Sequence, residues 1–229
     1  MVPWSLIDTA QVPGGSELRL MRRGAEFSIK LDGNELMNSR LSGSEQALAT
    51  LSCARIAARP RPRLLNGGLG MGFTLRAALD ALGPQAQIDV AEIVPQVVAW
   101  ARGPMAELFG GILNDPRVHI HEADVGALIA KAASHRDAGY DAILLDVDNG
   151  PDGLSRPDND RLYDIGGLSP AHAALRPGGV LAVWSSAPDQ DFTRRLRMAG
   201  FAVEEQRVRA HSGRARGGAR HVIWLAARD

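Results

Sequence analysis

From Arg63 onward the chain alternates short apolar runs with segments whose apolar residues recur at helical spacing, and this constrains its fold more than any other feature. Arg63-Leu64-Leu65-Asn66 is an apolar run ending in glycines, and Thr74 to Leu82 follows as a helix. Gln87 to Glu92 reads as a strand, and Pro95 to Leu108 as a helix with proline in its first turn. Arg117 to His121 alternates strictly, Val125 to Ser134 is helical, and Asp141 to Asp146 suits a strand buried on both faces. Leu168 to Leu175, Gly179 to Trp184 and Asp189 to Ala199 continue as helix, strand and helix. Repeated β-α units predict a parallel sheet with helices on both faces. The end breaks the pattern: Phe201 to Val208 and His221 to Leu225 are strand-like with no helix between them, which predicts an antiparallel hairpin closing the sheet.

The N-terminal part has a different period. Glu17 to Arg22 and Glu26 to Leu31 alternate polar with apolar, and Gly24 and Asp32-Gly33 punctuate them as turns. A small β-meander over residues 1–45 is expected, followed by an α/β domain over residues 46–229. Hydrophobic residues make up 45% of the 229 and charged residues 23%, with a formal net charge of +0, which excludes a disordered chain. No apolar run reaches the ~18 residues of a membrane helix. The first residues lack a secretory pattern, so a cytoplasmic address is the default expectation. The single cysteine, Cys53, forbids an internal disulfide and a cysteine-based zinc site, and no metal is expected. Zero charge argues against a nucleic-acid partner, although Arg207, Arg209, Arg214, Arg216 and Arg220 flank the C-terminal hairpin and keep that alternative open. Only Lys30 and Lys131 are lysines among the 26 basic residues.

In open α/β sheets, ligands bind outside the carboxyl ends of the strands. Four such ends carry chemistry. Asn66-Gly67-Gly68-Leu69-Gly70-Met71-Gly72 is a glycine loop between strand and helix, suited to a tight turn and to close approach of a nucleotide-type ligand. Glu92, with Ile93 beside it, ends the next strand about 20 residues on, where a carboxylate can accept both hydroxyls of a ribose. Asp124, before Val125, can accept from an exocyclic amine, cap the following helix, or do both. Asp146 and Asp148 lie two residues apart on one side of an extended segment, an arrangement that raises one pKa and suits a general base or an ammonium site, or else an Asx-turn. Cys53 and Trp100 read as packing residues.

Taken in order, these segments resemble class I S-adenosylmethionine-dependent methyltransferases, and within them the spermidine synthase (polyamine aminopropyltransferase) branch. Leu31-Asp32-Gly33 with Glu45, Glu92 to Val98, Gly110-Gly111 before Asp115-Pro116-Arg117-Val118, Tyr140 to Ile143 running into Asp146, Leu162-Tyr163, and Leu175 to Leu181 carry the resemblance over residues 17 to 190. It implies a Rossmann-like, seven-stranded, mostly parallel sheet with an antiparallel C-terminal hairpin. It also implies an S-adenosylmethionine or decarboxylated S-adenosylmethionine cofactor. Asn66, Gly67, Gly68, Gly70 and Gly72 would then form the cofactor loop, with Gly68, Gly70 and Gly72 at the methionine end. Glu92 with Ile93 would hold the ribose, Asp124 with Val125 would frame the adenine, and Asp146 would deprotonate an attacking amine, with Asp148 and Tyr163 beside it. Dimers are common among proteins of this type.

The chain also departs from the branch. Leu69 stands where aminopropyltransferases carry an aspartate, Asn149 stands where they carry a second one, and Gly43-Ser44 precede Glu45 where a tyrosine is usual. A loop without that acid suits a cofactor that retains its carboxylate. The expectation is therefore methyl transfer to a small acceptor, an amine among the candidates, with Asp146 as base. The alternatives are aminopropyl transfer, a nucleic-acid-binding methyltransferase and a non-catalytic adenosine-binding relative.

Overall fold

The computed structural model describes residues 2–135, 138–147, 150–151, 160–210 and 219–229. Four antiparallel strands come first: β1 (Ser5–Gln11), β2 (Glu17–Arg23), β3 (Glu26–Leu31) and β4 (Asn34–Asn38), paired in chain order. The meander therefore holds two strands more than the alternating runs indicate. The first helix, α1 (Gly43–Ile56), begins just before the expected boundary at residue 45.

The α/β part then runs β5 (Arg63–Gly67), α2 (Phe73–Ala81), β6 (Gln87–Ala91), α3 (Pro95–Arg102), α4 (Ala106–Phe109), β7 (Val118–His121), α5 (Val125–Ser134) and β8 (Tyr140–Leu145). It continues with α6 (Asp160–Tyr163), α7 (Ile165–Ala174), β9 (Leu175–Ser185), α8 (Gln190–Met198), β10 (Ala202–Arg209) and β11 (Arg220–Ala227). These strands form one seven-stranded sheet in the order β10-β11-β9-β8-β5-β6-β7. β11 lies between β9 and β10 and runs antiparallel to both, and the other neighbours are parallel. This is the mostly parallel sheet with an antiparallel end that the sequence predicts.

One helix differs from expectation. The span from Pro95 to Leu108 is broken into α3 and α4 at Gly103, whose φ of −109° and ψ of −107° leave the helical region. Pro104 follows, and the residue before a proline is disfavoured in the α conformation. Helix α7, by contrast, keeps Pro170 inside it.

Sheet parity sorts the core. Leu64, Ala142, Leu144 and Ala182 face one side, against α1, α2 and α3, while Leu65, Ile143, Leu145 and Leu181 face the other, against α5, α7 and α8. Leu20, Phe27, Ile29 and Leu31 of the meander join the first of these cores, so the small sheet packs on the same side as α1 to α3. All six residues of β8 are buried, as expected for a strand covered on both faces. The strand order reverses between β5 and β8, and the crevice at their carboxyl ends is where such sheets bind ligands. Among the described residues, no helix is long and apolar enough to cross a membrane.

Candidate functional site

The glycine loop leaves β5 and is held at Gly68 by two hydrogen bonds. Gly68 donates its N–H to Ala91 O at 2.8 Å, and the Asn66 side-chain amide donates to Gly68 O at 2.7 Å. Gly68, Gly70 and Gly72 have φ of +90°, +49° and +77°. A Cβ on Gly68 would lie 2.4 Å from the Asp146 carbonyl oxygen, and one on Gly72 would lie 2.6 Å from the Phe109 ring. Two of the three glycines are thus required by the protein's own packing, before any ligand approaches. Asn66 is buried and Gly67 packs against the Val125 side chain, so both lie below the open surface of the loop.

A cleft of about 840 Å³ opens above that loop. Gly68, Gly70, Glu92, Ile93, Asp124, Val125 and Asp146 all line it. The sequence-level site is therefore brought together here from the ends of β5, β6, β7 and β8. Glu92 is 8% exposed, and its Oε2 accepts from Leu69 N at 3.0 Å while Oε1 accepts from Val94 N at 2.9 Å. Burial pushes its pKa up, and backbone N–H groups of Val94, Leu69, Gly70 and Ile93 act against that. Each carboxylate oxygen has a second lone pair, so the pair of oxygens fits a ribose diol while anchoring the loop. Asp124 is the N-cap of α5, accepting from Gly126 N at 2.7 Å, and it also faces the cleft. One face of the cleft was not legible beforehand: Val12, Leu18, Ile29, Leu36 and Met37 of the meander form an apolar wall.

A second cleft of about 640 Å³ adjoins the first and shares Leu36, Met37, Gly70 and Asp146 with it. Glu45, Leu69, Met71, Gly72, Phe73 and Trp184 complete its lining. Asp146 follows β8 on the side of α2, where its Oδ2 accepts from Thr74 Oγ1 at 2.6 Å. Burial, then the neighbouring charge of Glu45, pushes the Asp146 carboxyl up to about 7, against the Thr74 hydrogen bond. Burial raises the Glu45 carboxyl as well, opposed by a hydrogen bond from Ser44. The like-charge partner of Asp146 is therefore Glu45, 101 positions earlier, a residue that entered the sequence reading only through the resemblance and without a role. Asp148, expected in that place, lies outside the described residues, as do Arg214 and Arg216.

Tyr163 sits on the opposite side of the sheet from the Asp146 carboxyl. It is 2% exposed, packs edge-on against Phe192 at 5.7 Å, and donates its hydroxyl to Val147 O at 3.2 Å. It holds the chain that leaves Asp146, while its neighbour Leu162 lines the first cleft. Trp100 is buried and donates Nε1–H to Asp8 at 2.8 Å, tying α3 to β1. Cys53 is buried in the core and burial raises its thiol to about 12, which suits packing. Among the described residues, no three His, Cys, Asp or Glu side chains gather as a metal-binding group.

No known family model matches the chain. Among curated proteins it is 30% identical over 198 residues to a polyamine aminopropyltransferase of Mycobacterium tuberculosis, covering 84% of this chain and 36% of that protein. It is 27% identical over 157 residues to polyamine aminopropyltransferase 1 of Streptomyces coelicolor, covering 65% of this chain and 28% of that one. The chain thus spans about a third of the length of these relatives. Among solved structures, the spermidine synthase of Thermotoga maritima superposes with a TM-score of 0.74 at 18% identity, over 98% of this chain and 73% of that one. Human methyltransferase-like protein 13 in complex with SAH superposes with a TM-score of 0.57 at 24% identity, over 79% of this chain and 78% of that one. By sequence the chain is similar to these polyamine aminopropyltransferases over part of their length, and its fold is that of the solved spermidine synthase.

Proposed function

We propose that this chain is a transferase that binds an S-adenosyl cofactor in the first cleft and moves an alkyl group from it to a small amine in the second. The observation that carries the reading is the junction of the two clefts at Asp146, whose carboxyl stands near 7 beside Glu45. A base that titrates near neutrality can take a proton from an amine and release it again. The residues fit the cofactor: Glu92 offers paired acceptors for a ribose, Asp124 and Val125 border the adenine end, and the loop backbone leaves room at Gly70. When bound, such a cofactor supplies a sulfonium-activated carbon to an attacking nitrogen. Asp146 accepts the proton of that nitrogen, Glu45 pairs with the cationic form of the amine, and Leu36, Met37 and Phe73 keep water from the junction.

Aminopropyl transfer is the favoured chemistry, because the curated relatives are named as aminopropyltransferases. One observation favours methyl transfer as a second reading. Leu69 is buried in the second cleft and places no carboxylate there for the free ammonium of a decarboxylated cofactor, whereas an intact methionine carboxylate meets no repulsion from it. Product analysis separates the two. Incubation with either cofactor and a panel of amines should release methylthioadenosine if an aminopropyl group moves, and S-adenosylhomocysteine if a methyl group moves. Absence of both products, with no calorimetric binding of either cofactor, would overturn the transferase reading.

A further inference from the structure

The last strand of the sheet reaches the second cleft through a hydrogen-bonded chain that the reaction as described above does not use. We infer that His221, acting through Ser44, is a positioning residue for Glu45, so that β11 belongs to the acceptor side of the site. This deepens the transferase reading and rests on it for the identity of the bound amine.

Ser44 is fully buried in the first turn of α1, and its Oγ–H donates to Glu45 Oε2 at 2.7 Å. A hydroxyl has one proton, so its second contact, with His221 Nδ1 at 2.8 Å, must be one it accepts. His221 therefore carries its proton on Nδ1, and burial holds its pKa below the usual histidine value, which favours the neutral ring. The same ring packs edge-on against Trp184, with centroids 4.7 Å apart and planes at 79°. Trp184 and Glu45 both line the second cleft, so one imidazole braces a wall and a carboxylate of the same compartment. The base of the C-terminal hairpin adds a third tie, since Gly43 N donates to Ala210 O at 3.0 Å, fixing the start of α1.

The titratable groups acting on Glu45 are Asp146 from the end of β8 and His221, which acts through Ser44. Among the described residues, no arginine or lysine pairs with Glu45, so its charge is not neutralised there by a basic side chain. A glutamate side chain loses several rotamers on ordering. Fixing it before an amine arrives removes that cost from binding, and the hydrogen bond accepted by Ser44 polarises the one it donates.

His221→Phe keeps a ring against Trp184 and deletes the donor, whereas His221→Asn keeps an N–H near the Nδ1 position. Two readouts decide the matter in the full chain: the Glu45 carboxyl midpoint, from carbon-13 NMR with Glu45→Gln as the assignment control, and the split of amine KM against kcat. His221→Phe should raise the midpoint and raise amine KM by about 3- to 10-fold, the range of one hydrogen bond, with kcat little changed. His221→Asn should restore both. In a Ser44→Ala background, His221→Phe should add nothing further. A wild-type midpoint in His221→Phe overturns the inference, as does an Asn variant that behaves like Phe. If the wild-type protein transfers nothing to any amine, the transferase reading falls, and the NMR titration alone still decides whether His221 positions Glu45.

Discussion

The two clefts that meet at Asp146 hold their carboxylates in opposite ways. In the first, each Glu92 oxygen accepts a backbone N–H, from the glycine loop and from the turn into α3, donors that do not titrate at neutral pH. In the second, Asp146 and Glu45 are supported by the hydroxyls of Thr74 and Ser44, and the charge of Glu45 opposes ionisation of Asp146. In the first arrangement backbone donors work against the burial that raises the Glu92 carboxyl, which suits an acceptor for a neutral diol. The second makes a group whose proton is loosely committed, suited to taking one from a substrate. Glu92 is buried and Asp146 and Glu45 are half-buried, and their donors and neighbouring charges separate the proposed binding role from the proposed chemical one.

The largest effect expected is on the chemical side. Asp146→Asn should lower turnover by about 10²- to 10⁴-fold, the usual contribution of a positioned base, while cofactor affinity measured by calorimetry changes only a few-fold. The same variant should gain stability at neutral pH. The carboxyl titrates at an ordinary 3.8 when unfolded and at about 7 when folded, so the folded state binds more protons between those values. Stability of the wild type is therefore lost as pH rises through that window. The melting temperature of Asp146→Asn, relative to wild type, should climb between pH 5 and pH 8. A variant that loses cofactor affinity as strongly as turnover would erase the distinction between the clefts.

Glu92→Gln tests the opposite side. It should weaken binding of an S-adenosyl ligand by about 10- to 100-fold, since it replaces a charged acceptor shared with the loop. Its turnover at saturating cofactor should stay near wild type. Gly68 lines the first cleft against the backbone of Asp146, and Gly68→Ala should cost about 1–3 kcal/mol in denaturant unfolding, because both its φ of +90° and the Asp146 carbonyl oxygen, 2.4 Å from where a Cβ would lie, oppose a side chain. Gly14→Ala, at φ +69° with open space around it, should cost less. The smallest effect is a sharpening one. Glu45→Gln removes the like charge from Asp146, so the acid limb of the pH–rate profile should move to lower pH, by about one unit or less. A limb that stays in place would leave burial alone as the cause of the raised Asp146 carboxyl.

Local pattern carried much of this to the surface of the sequence. The apolar run from Ala142 to Leu145 and the glycines after Asn66 announce a buried strand and a strand-to-helix turn, because burial on two faces and positive φ leave direct marks in residue type. The break of α3 at Gly103 was also written in the sequence, in the proline that follows, yet the apolar spacing across it suggested a single helix. Strands β1 and β4 escaped because their burial alternates poorly: β1 exposes Leu6 and Ile7, and β4 buries only Asn38.

The site divides along the same line. Glu92, Asp124 and Asp146 are visible in one dimension because each ends a strand in a repeated β-α unit, and that repetition places them at one edge of the sheet. Glu45 as the partner of Asp146, the meander wall of Leu36 and Met37, and the assignment of Tyr163 to the far side of β8 are not visible there. They depend on which face of the sheet α1 and the meander cover, and on contacts between residues that the chain separates by a hundred positions or more. Sequence alone determined the layered α/β architecture and the row of acids at its strand ends, since periodicity and turn chemistry are local. Only the tertiary structure decided which of those acids sits against another carboxylate and which against backbone amides, because desolvation and charge coupling are properties of packed neighbours.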